Sequence, residues 1–205
     1  MAEDCVIHVI DDDKAMRNSL SFLLRAAKLE VRSYDSAEAF LSDSGNHKHG
    51  CIVSDVRMPE MDGIELLRRI KAMAIDLPVI IITGHGDVSL AVEAMKAGAV
   101  DFLEKPFEEK QVLAAIESAL QKEHGDRDTM STEDQARVRK HLANLSARER
   151  QVLDGIVAGL PNKTIAFDLG ISPRTVEVYR SNVMTKMRAK SLADLVRMTL
   201  RVSGK

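Results

Sequence analysis

Residues 6–13 read VIHVIDDD, a strand-like aliphatic run followed at once by three carboxylates, Asp11, Asp12 and Asp13. Adjacent carboxylates repel one another unless a positive charge sits among them. Other polar residues stand at the ends of later aliphatic runs: Ser54 and Asp55 after CIV, Thr83 after LPVIII, and Lys105 with Pro106 after AVDFLE. A hard divalent ion such as Mg²⁺ prefers oxygen ligands and retains waters and phosphate oxygens in its shell, so clustered acids make a suitable half-shell. Asp11 and Asp12 fit that role, while Asp13 is placed to N-cap a helix beginning near Lys14. The plainer alternative is that all three acids only cap and solvate a helix start. It weakens once the other strand ends are counted, because three carboxylates, a hydroxyl and a lysine then converge on one edge.

The elements that would position these groups alternate regularly. CVIHVI, CIVS, LPVIIIT and AVDFLE are strand-like, and LEVRSY is a weaker candidate. Segments starting near Lys14, Ser36, Gly63, Asp87 and Phe107 carry apolar residues three and four apart, the period of a helix. Five βα units imply a parallel sheet covered on both faces, with function at the carboxyl ends of the strands near the switch in strand order.

The chain has 205 residues and is 45% apolar, enough for one or two packed domains. It has no run of about 18 apolar residues, and its first residues, MAEDC, are acidic where a signal peptide would be basic; a cytoplasmic protein is expected. Cys5 and Cys51 have no close-spaced metal or redox pattern and read as buried, reduced thiols. His47, His49 and His85 read as surface residues, and TGHGD as a strand-to-helix loop, since it lacks the lysine and spacing of a P-loop.

The net charge of -2 conceals a split. Residues 1–125 carry 14 Lys+Arg against 22 Asp+Glu, and residues 126–205 carry 15 against 9, so the halves are -8 and +6. An acidic module joined to one that meets nucleic acid is one reading; a merely solvated basic surface is the other. The expected divisions are 1–123, a partly helical linker over 124–142, and 143–205. Val138, Leu142 and Leu145 follow helical spacing, which suggests that the linker docks through apolar contacts.

The basic half breaks into four short helices near 146–158, 162–169, 173–187 and 191–202, punctuated by Gly159, Pro161 and Gly170. Ile165, Ala166 and Leu169 form one apolar face, Gly170-Ile171-Ser172 makes a turn, Ser172 caps and Pro173 opens the next helix, which is the grammar of a helix-turn-helix. Val176, Val183 and Met187 then fall on the packed side of that helix. The candidate DNA contacts are Lys163, Thr164, Arg174, Thr175, Glu177, Val178, Ser181, Asn182 and Lys186. Arg suits guanine, Asn suits adenine, and a valine can touch a thymine methyl. Glu177 is unexpected on a face that meets phosphates; it either reads a cytosine amino group or braces Arg174 or Arg180.

Asp11 with Asp12, SDVRMPEMDG around Asp55, ITG with Thr83 and DFLEKPF with Lys105 together resemble the receiver domain of two-component response regulators, across residues 5–122. LSARERQVLDGIVAGLPNKTIAFDLGISPRTVEVYRSNVMTKM resembles the LuxR/NarL-type output domain, over about residues 143–204. Their succession is that of the NarL/FixJ class. TGHGDV, AVEAMKAGAVDFLEKPFE and SPRTVEVYR look particularly like members that regulate nitrogen-fixation and microoxic genes. The resemblance implies a flavodoxin-like (βα)5 α/β domain with a five-stranded parallel sheet, followed by an all-α, four-helix DNA-binding domain. It implies that Asp55 accepts a phosphoryl group from a FixL-like sensor histidine kinase, and that Asp11, Asp12, Asp55 and the backbone carbonyl of Arg57 bind Mg²⁺. It further implies that Lys105, held by Pro106, pairs with the phosphoryl group while Thr83 and Phe102 relay its presence. Dimerisation through Val92, Met95, Lys96 and Val100, binding to promoter DNA and contact with RNA polymerase follow from the same likeness. Covalent chemistry would be limited to Mg²⁺-dependent self-phosphorylation and slow autodephosphorylation. The rival enzyme reading is a nucleophilic-aspartate phosphohydrolase, which usually pairs its nucleophile with a second acid after the first strand and carries a cap that this chain lacks.

Overall fold

The structure is a computed structural model that describes residues 5–43, 49–84, 88–123 and 132–203. It divides into two units, with the boundary in sequence near residue 127. His47, His85 and residues 124–131 of the expected linker lie outside the described residues.

In the first unit β1 (Val6–Ile10), β2 (Glu30–Tyr34), β3 (Gly50–Asp55), β4 (Val79–Thr83) and β5 (Asp101–Glu104) form one sheet in the order β2-β1-β3-β4-β5. Every pairing is parallel. Between them run α1 (Lys14–Ala26), α2 (Ala37–Ser42), α3 (Gly63–Ala72) and α4 (Val88–Ala97), and α5 (Glu109–Glu123) follows β5. β1, β3 and β4 are buried throughout, the signature of strands covered on both faces. Strand order reverses beside β1, where the chain runs out to β2 and returns to β3, so a crevice is expected at the carboxyl ends of β1 and β3. The weak second strand candidate is explained by its place: β2 is an edge strand with only Val31 buried.

Local chemistry sets the starts of the helices. Asp13 accepts the Ala15 N–H at 2.8 Å, Ser36 accepts that of Ala39, and Asp62 accepts those of Ile64 and Glu65. Gly63 is required for a different reason: a Cβ there would lie 2.3 Å from the Asp55 carbonyl oxygen. The glycine of the MDG sequence therefore lets α3 begin against the end of β3. Cys51 is buried and Cys5 half-buried, and neither forms a disulfide.

The second unit is helical. α6 (Thr132–Ala143), α7 (Ala147–Val157), α8 (Asn162–Leu169), α9 (Pro173–Met187) and α10 (Leu192–Ser203) enclose a core of Val152, Leu153, Ile156, Ile165, Val176 and Val183. Val138 and Leu145 belong to that core and Leu142 packs against it. The helical part of the expected linker is thus the first helix of the output unit, and its apolar residues are spent within that unit. The reason is the spacing itself: a face too small to be stable alone is buried against α9 and α10. Among the described residues no helix is long and apolar enough to cross a membrane.

One ion pair ties the first turn of α7 to the last turn of α9. Glu149 is buried, completes a capping box with Ser146, and accepts a hydrogen bond from Lys186 Nζ at 2.7 Å. The Lys186 ammonium and the Ser146 N–H hold its carboxyl below the ordinary value of 4.5. Such a carboxylate stabilises the fold fully above that value, and its contribution is lost as pH falls through the depressed folded value. Glu149→Ala should therefore destabilise this unit by about 1 kcal/mol at neutral pH. The difference from the parent chain, measured by urea denaturation, should shrink as the solution is acidified.

Candidate functional site

The acid cluster follows from the sheet register. Ile10 of β1 stands opposite Ser54 of β3, so the next residues, Asp11 and Asp55, emerge side by side at the switch in strand order. Both are buried. Lys105, just beyond β5, reaches across the sheet edge: its Nζ donates to Asp55 Oδ1 at 2.5 Å and lies 3.3 Å from Asp11 Oδ2. Its backbone N–H donates to the Thr83 carbonyl at 2.8 Å, which anchors the lysine to the end of β4, and the Lys105–Pro106 peptide is cis.

The electrostatics are uneven. Burial pushes the Asp11 carboxyl above its ordinary value, against the lowering effects of the Asp13 N–H and the Lys105 ammonium. Burial alone would pull the lysine down, yet Asp55 and Asp11 outweigh it and hold the ammonium above its ordinary value. One ammonium therefore serves two carboxylates. Arg57 N–H donates to Asp55 Oδ2 at 2.8 Å, and Ser54 Oγ to the Asp55 carbonyl at 3.0 Å.

Asp12 is exposed, and its side chain is not gathered with the other two; among the described residues no group of three or more His, Cys, Asp or Glu is arranged to hold a metal ion. The donor set nonetheless fits a hard cation. Two carboxylates at adjoining strand ends, one of them destabilised as an anion by burial, offer oxygen donors and an excess of negative charge. Asp12 would complete the set by turning inward from its exposed position.

Thr83 is buried at the end of β4, where its hydroxyl donates to the Gly84 carbonyl at 3.4 Å. Ile81 pairs with Phe102, so Phe102 and Thr83 share one face of the sheet. Of the four residues expected at a dimer face, Val92 and Met95 are buried, Val100 packs against the sheet core and Lys96 alone is exposed. Arg17 was not singled out from sequence. Its guanidinium donates to the carbonyls of Asp11 and Asp12 at 2.7 and 2.9 Å and so holds the β1–α1 turn that carries both acids. An arginine in the first turn after an acidic run was the available signal.

In the helical unit α8 ends on Gly170 in the left-handed region, with φ of 64°. The Ile171 N–H closes back on the Ala166 carbonyl at 3.0 Å, and Ser172 then caps α9 through the Thr175 N–H at 3.1 Å. Val176, Val183 and Met187 are buried along one side of α9. Arg174, Glu177, Val178, Ser181 and Asn182 are exposed on it, as are Lys163 and Thr164 on α8. Thr175 is half-buried and shares a 2.8 Å hydroxyl contact with Ser172. Two basic residues of α9 also have partners within the fold. Lys186 is held by Glu149, and Arg180 donates to Asn162 Oδ1 at 2.8 Å, so it is tied to α8.

Residues 7–117 match the response regulator receiver domain family, and residues 143–199 match the bacterial regulatory proteins of the luxR family. The transcriptional regulatory protein FixJ of Bradyrhizobium diazoefficiens is 57% identical over 95% of this chain and 94% of its own. FixJ of Rhizobium meliloti is 54% identical over 96% of each. The crystal structure of full-length FixJ from B. japonicum superposes with a TM-score of 0.57 at 53% identity, covering 100% of both chains. An acid and lysine cluster at the switch point of a receiver sheet, joined to a LuxR-type helix-turn-helix, places this chain in the NarL/FixJ family of response regulators, which are phosphorylation-activated regulators of transcription.

Proposed function

We propose that Asp55 is the phosphoryl acceptor and that Asp11, Asp12, Asp55 and the Arg57 carbonyl hold Mg²⁺ beside it. The observation that supports this most is the sharing of one lysine by two buried carboxylates, because phosphoryl transfer asks a protein mainly for in-line positioning and charge neutralisation. A FixL-like histidine kinase is the donor. An Asp55 carboxylate oxygen attacks phosphorus, the phosphorus–nitrogen bond of the phosphohistidine breaks, and the imidazole leaves with the bonding pair and takes up a proton. Bound at the site, the metal ion supplies charge neutralisation to the phosphoryl oxygens. Lys105 pairs with the phosphoryl group, held in place through its backbone bond to Thr83. The Thr83 hydroxyl, now spent on a long bond to a carbonyl, exchanges that bond for a phosphoryl oxygen, and Phe102 on the same face moves into the space released.

Dimerisation through the surface around Lys96 follows phosphorylation, and the dimer binds promoter DNA, activates through RNA polymerase and serves nitrogen-fixation or microoxic genes. Acetyl phosphate with Mg²⁺ should add one phosphoryl group to the intact protein, read by mass. Retention of that gain in Asp55→Asn, or in excess chelator, would overturn the assignment. Lys96→Glu should accept the phosphoryl group normally yet sediment as a monomer.

For the output unit we propose that Arg174, Val178, Ser181 and Asn182 read base edges while Lys163 and Thr164 meet phosphates. Asn182→Ala should cost about 1–3 kcal/mol of operator affinity and relax selection at one base pair, whereas Lys163→Ala should weaken binding to all sequences and lower the salt slope by about 1. The receiver restrains this unit until phosphorylated, a reading that the -8 and +6 halves support. A fragment from residue 124 onward should then bind DNA without phosphodonor. Its affinity advantage over the full chain should fall as ionic strength rises past about 0.15 M, because the apolar linker residues are committed within the output unit.

A further inference from the structure

The outer face of α8 is divided between two chemistries. Ile165 and Ala166 are buried and Asn162 and Leu169 half-buried, so the face left to solvent carries Lys163 and Thr164 on the first turn and Phe167 and Asp168 on the second. Phe167 is 87% exposed, the most of any large apolar side chain among the described residues. A ring left in water forgoes the burial that would stabilise the fold. Asp168 is also placed against local stability. It stands in the last turn of α8, where the helix dipole disfavours an anion, and no described residue gives it a side-chain hydrogen bond or an ion pair. Arg148, which reaches that end of the helix, donates instead to the Leu169 carbonyl at 3.4 Å and to Gln151 Oε1 at 3.1 Å. The unit's own packing compensates neither residue, which is the condition of a surface completed by a partner.

We propose that Phe167 and Asp168 form the surface through which the DNA-bound protein engages RNA polymerase, the ring entering an apolar pocket on the polymerase and the carboxylate pairing with a lysine or arginine at its rim. The inference rests on the reading that this chain activates transcription through that enzyme, and it adds where the contact is made. Promoter DNA is a poor occupant of this turn. The first turn of α8 offers an ammonium and the positive end of the helix dipole, which suit phosphates, whereas the last turn sets an unpaired carboxylate and the negative end beside the ring, which repel them. A protein surface with basic groups around an apolar pocket is complementary on both counts. Such a partner lies alongside the DNA, because Phe167 is one turn from Lys163 on the same face. Polymerase bound at the promoter meets that condition.

The test uses the full chain phosphorylated with acetyl phosphate and Mg²⁺, a promoter fragment that the parent chain binds, and purified RNA polymerase holoenzyme. Operator affinity is read by mobility shift, and activation by transcript from the same fragment at saturating regulator. Phe167→Ala should keep operator affinity within about twofold of the parent. It should nevertheless lose about tenfold or more in activated transcript. Phe167→Leu should recover most of that loss, and Asp168→Asn, which removes a charge and little else, should lose severalfold while binding the operator as the parent does. If Phe167→Ala impairs folding, seen as lost helicity in circular dichroism, Asp168→Asn carries the same split between binding and activation. Full activation by these variants at a saturated operator overturns the inference. So does a loss of operator affinity like that of Lys163→Ala, which would assign the face to DNA, or a loss seen only on paired half-sites, which would assign it to a second copy of this chain. Failure of the underlying reading looks different: the parent itself then occupies the operator without raising transcript, and the inference falls with it.

Discussion

The receiver depends on one ammonium shared between two buried carboxylates. Asp11 and Asp55 are brought together by the parallel register of β1 and β3, and Lys105 is delivered from β5 by a backbone bond to the end of β4. The sheet therefore holds a charge imbalance that its own side chains do not resolve. Ionised Asp11 is disfavoured by burial, so this corner of the fold is less stable than a neutral one of the same shape would be. A bound cation would restore the stability given up there. Arg17 and Asp13 confine the imbalance by fixing the turn that presents the acids.

The output unit solves a different problem, which is to present a polar helix face to DNA while burying enough apolar surface to hold five helices. Gly170 and Ser172 set the angle between α8 and α9, and the Glu149–Lys186 pair ties the far end of α9 to α7. The pair explains why Lys186, placed near the end of the recognition helix, is occupied within the fold. Arg180 is likewise used to join α9 to α8 through Asn162. Besides Pro173 at its start, the exposed residues left on α9 are short polar groups, one arginine, one carboxylate and Val178, a mixture suited to reading base edges more than to gripping phosphates.

Much of this was legible in the residues. Runs of aliphatics ending in Asp11, Asp55, Thr83 and Lys105 disclosed both the sheet and the edge that matters, because strand ends in a parallel sheet must converge. Asp13 and Ser172 announced their helices as caps do. What was not legible depended on tertiary partners. Val92 and Met95 belong to a helix whose apolar period said that it packs, without saying which side stays exposed. Val138, Leu142 and Leu145 showed a helix but not the body it joins. Lys186 looked like any basic residue on a DNA-facing helix until Glu149, 37 positions earlier, was found beside it. Asp12 shows the same limit, since adjacency in sequence to buried Asp11 leaves it exposed.

The strain at Asp11 can be measured directly. With aspartate ¹³C-labelled at the carboxyl carbon, and Asp11→Asn used to assign its signal, the titration of Asp11 can be followed by NMR with and without Mg²⁺. Without the metal, Asp11 should titrate above the ordinary value of 3.8, and added Mg²⁺ should bring it down as the cation supplies the missing positive charge. A metal-free value at or below 3.8, or one that Mg²⁺ leaves unchanged, would contradict a site built on unresolved negative charge.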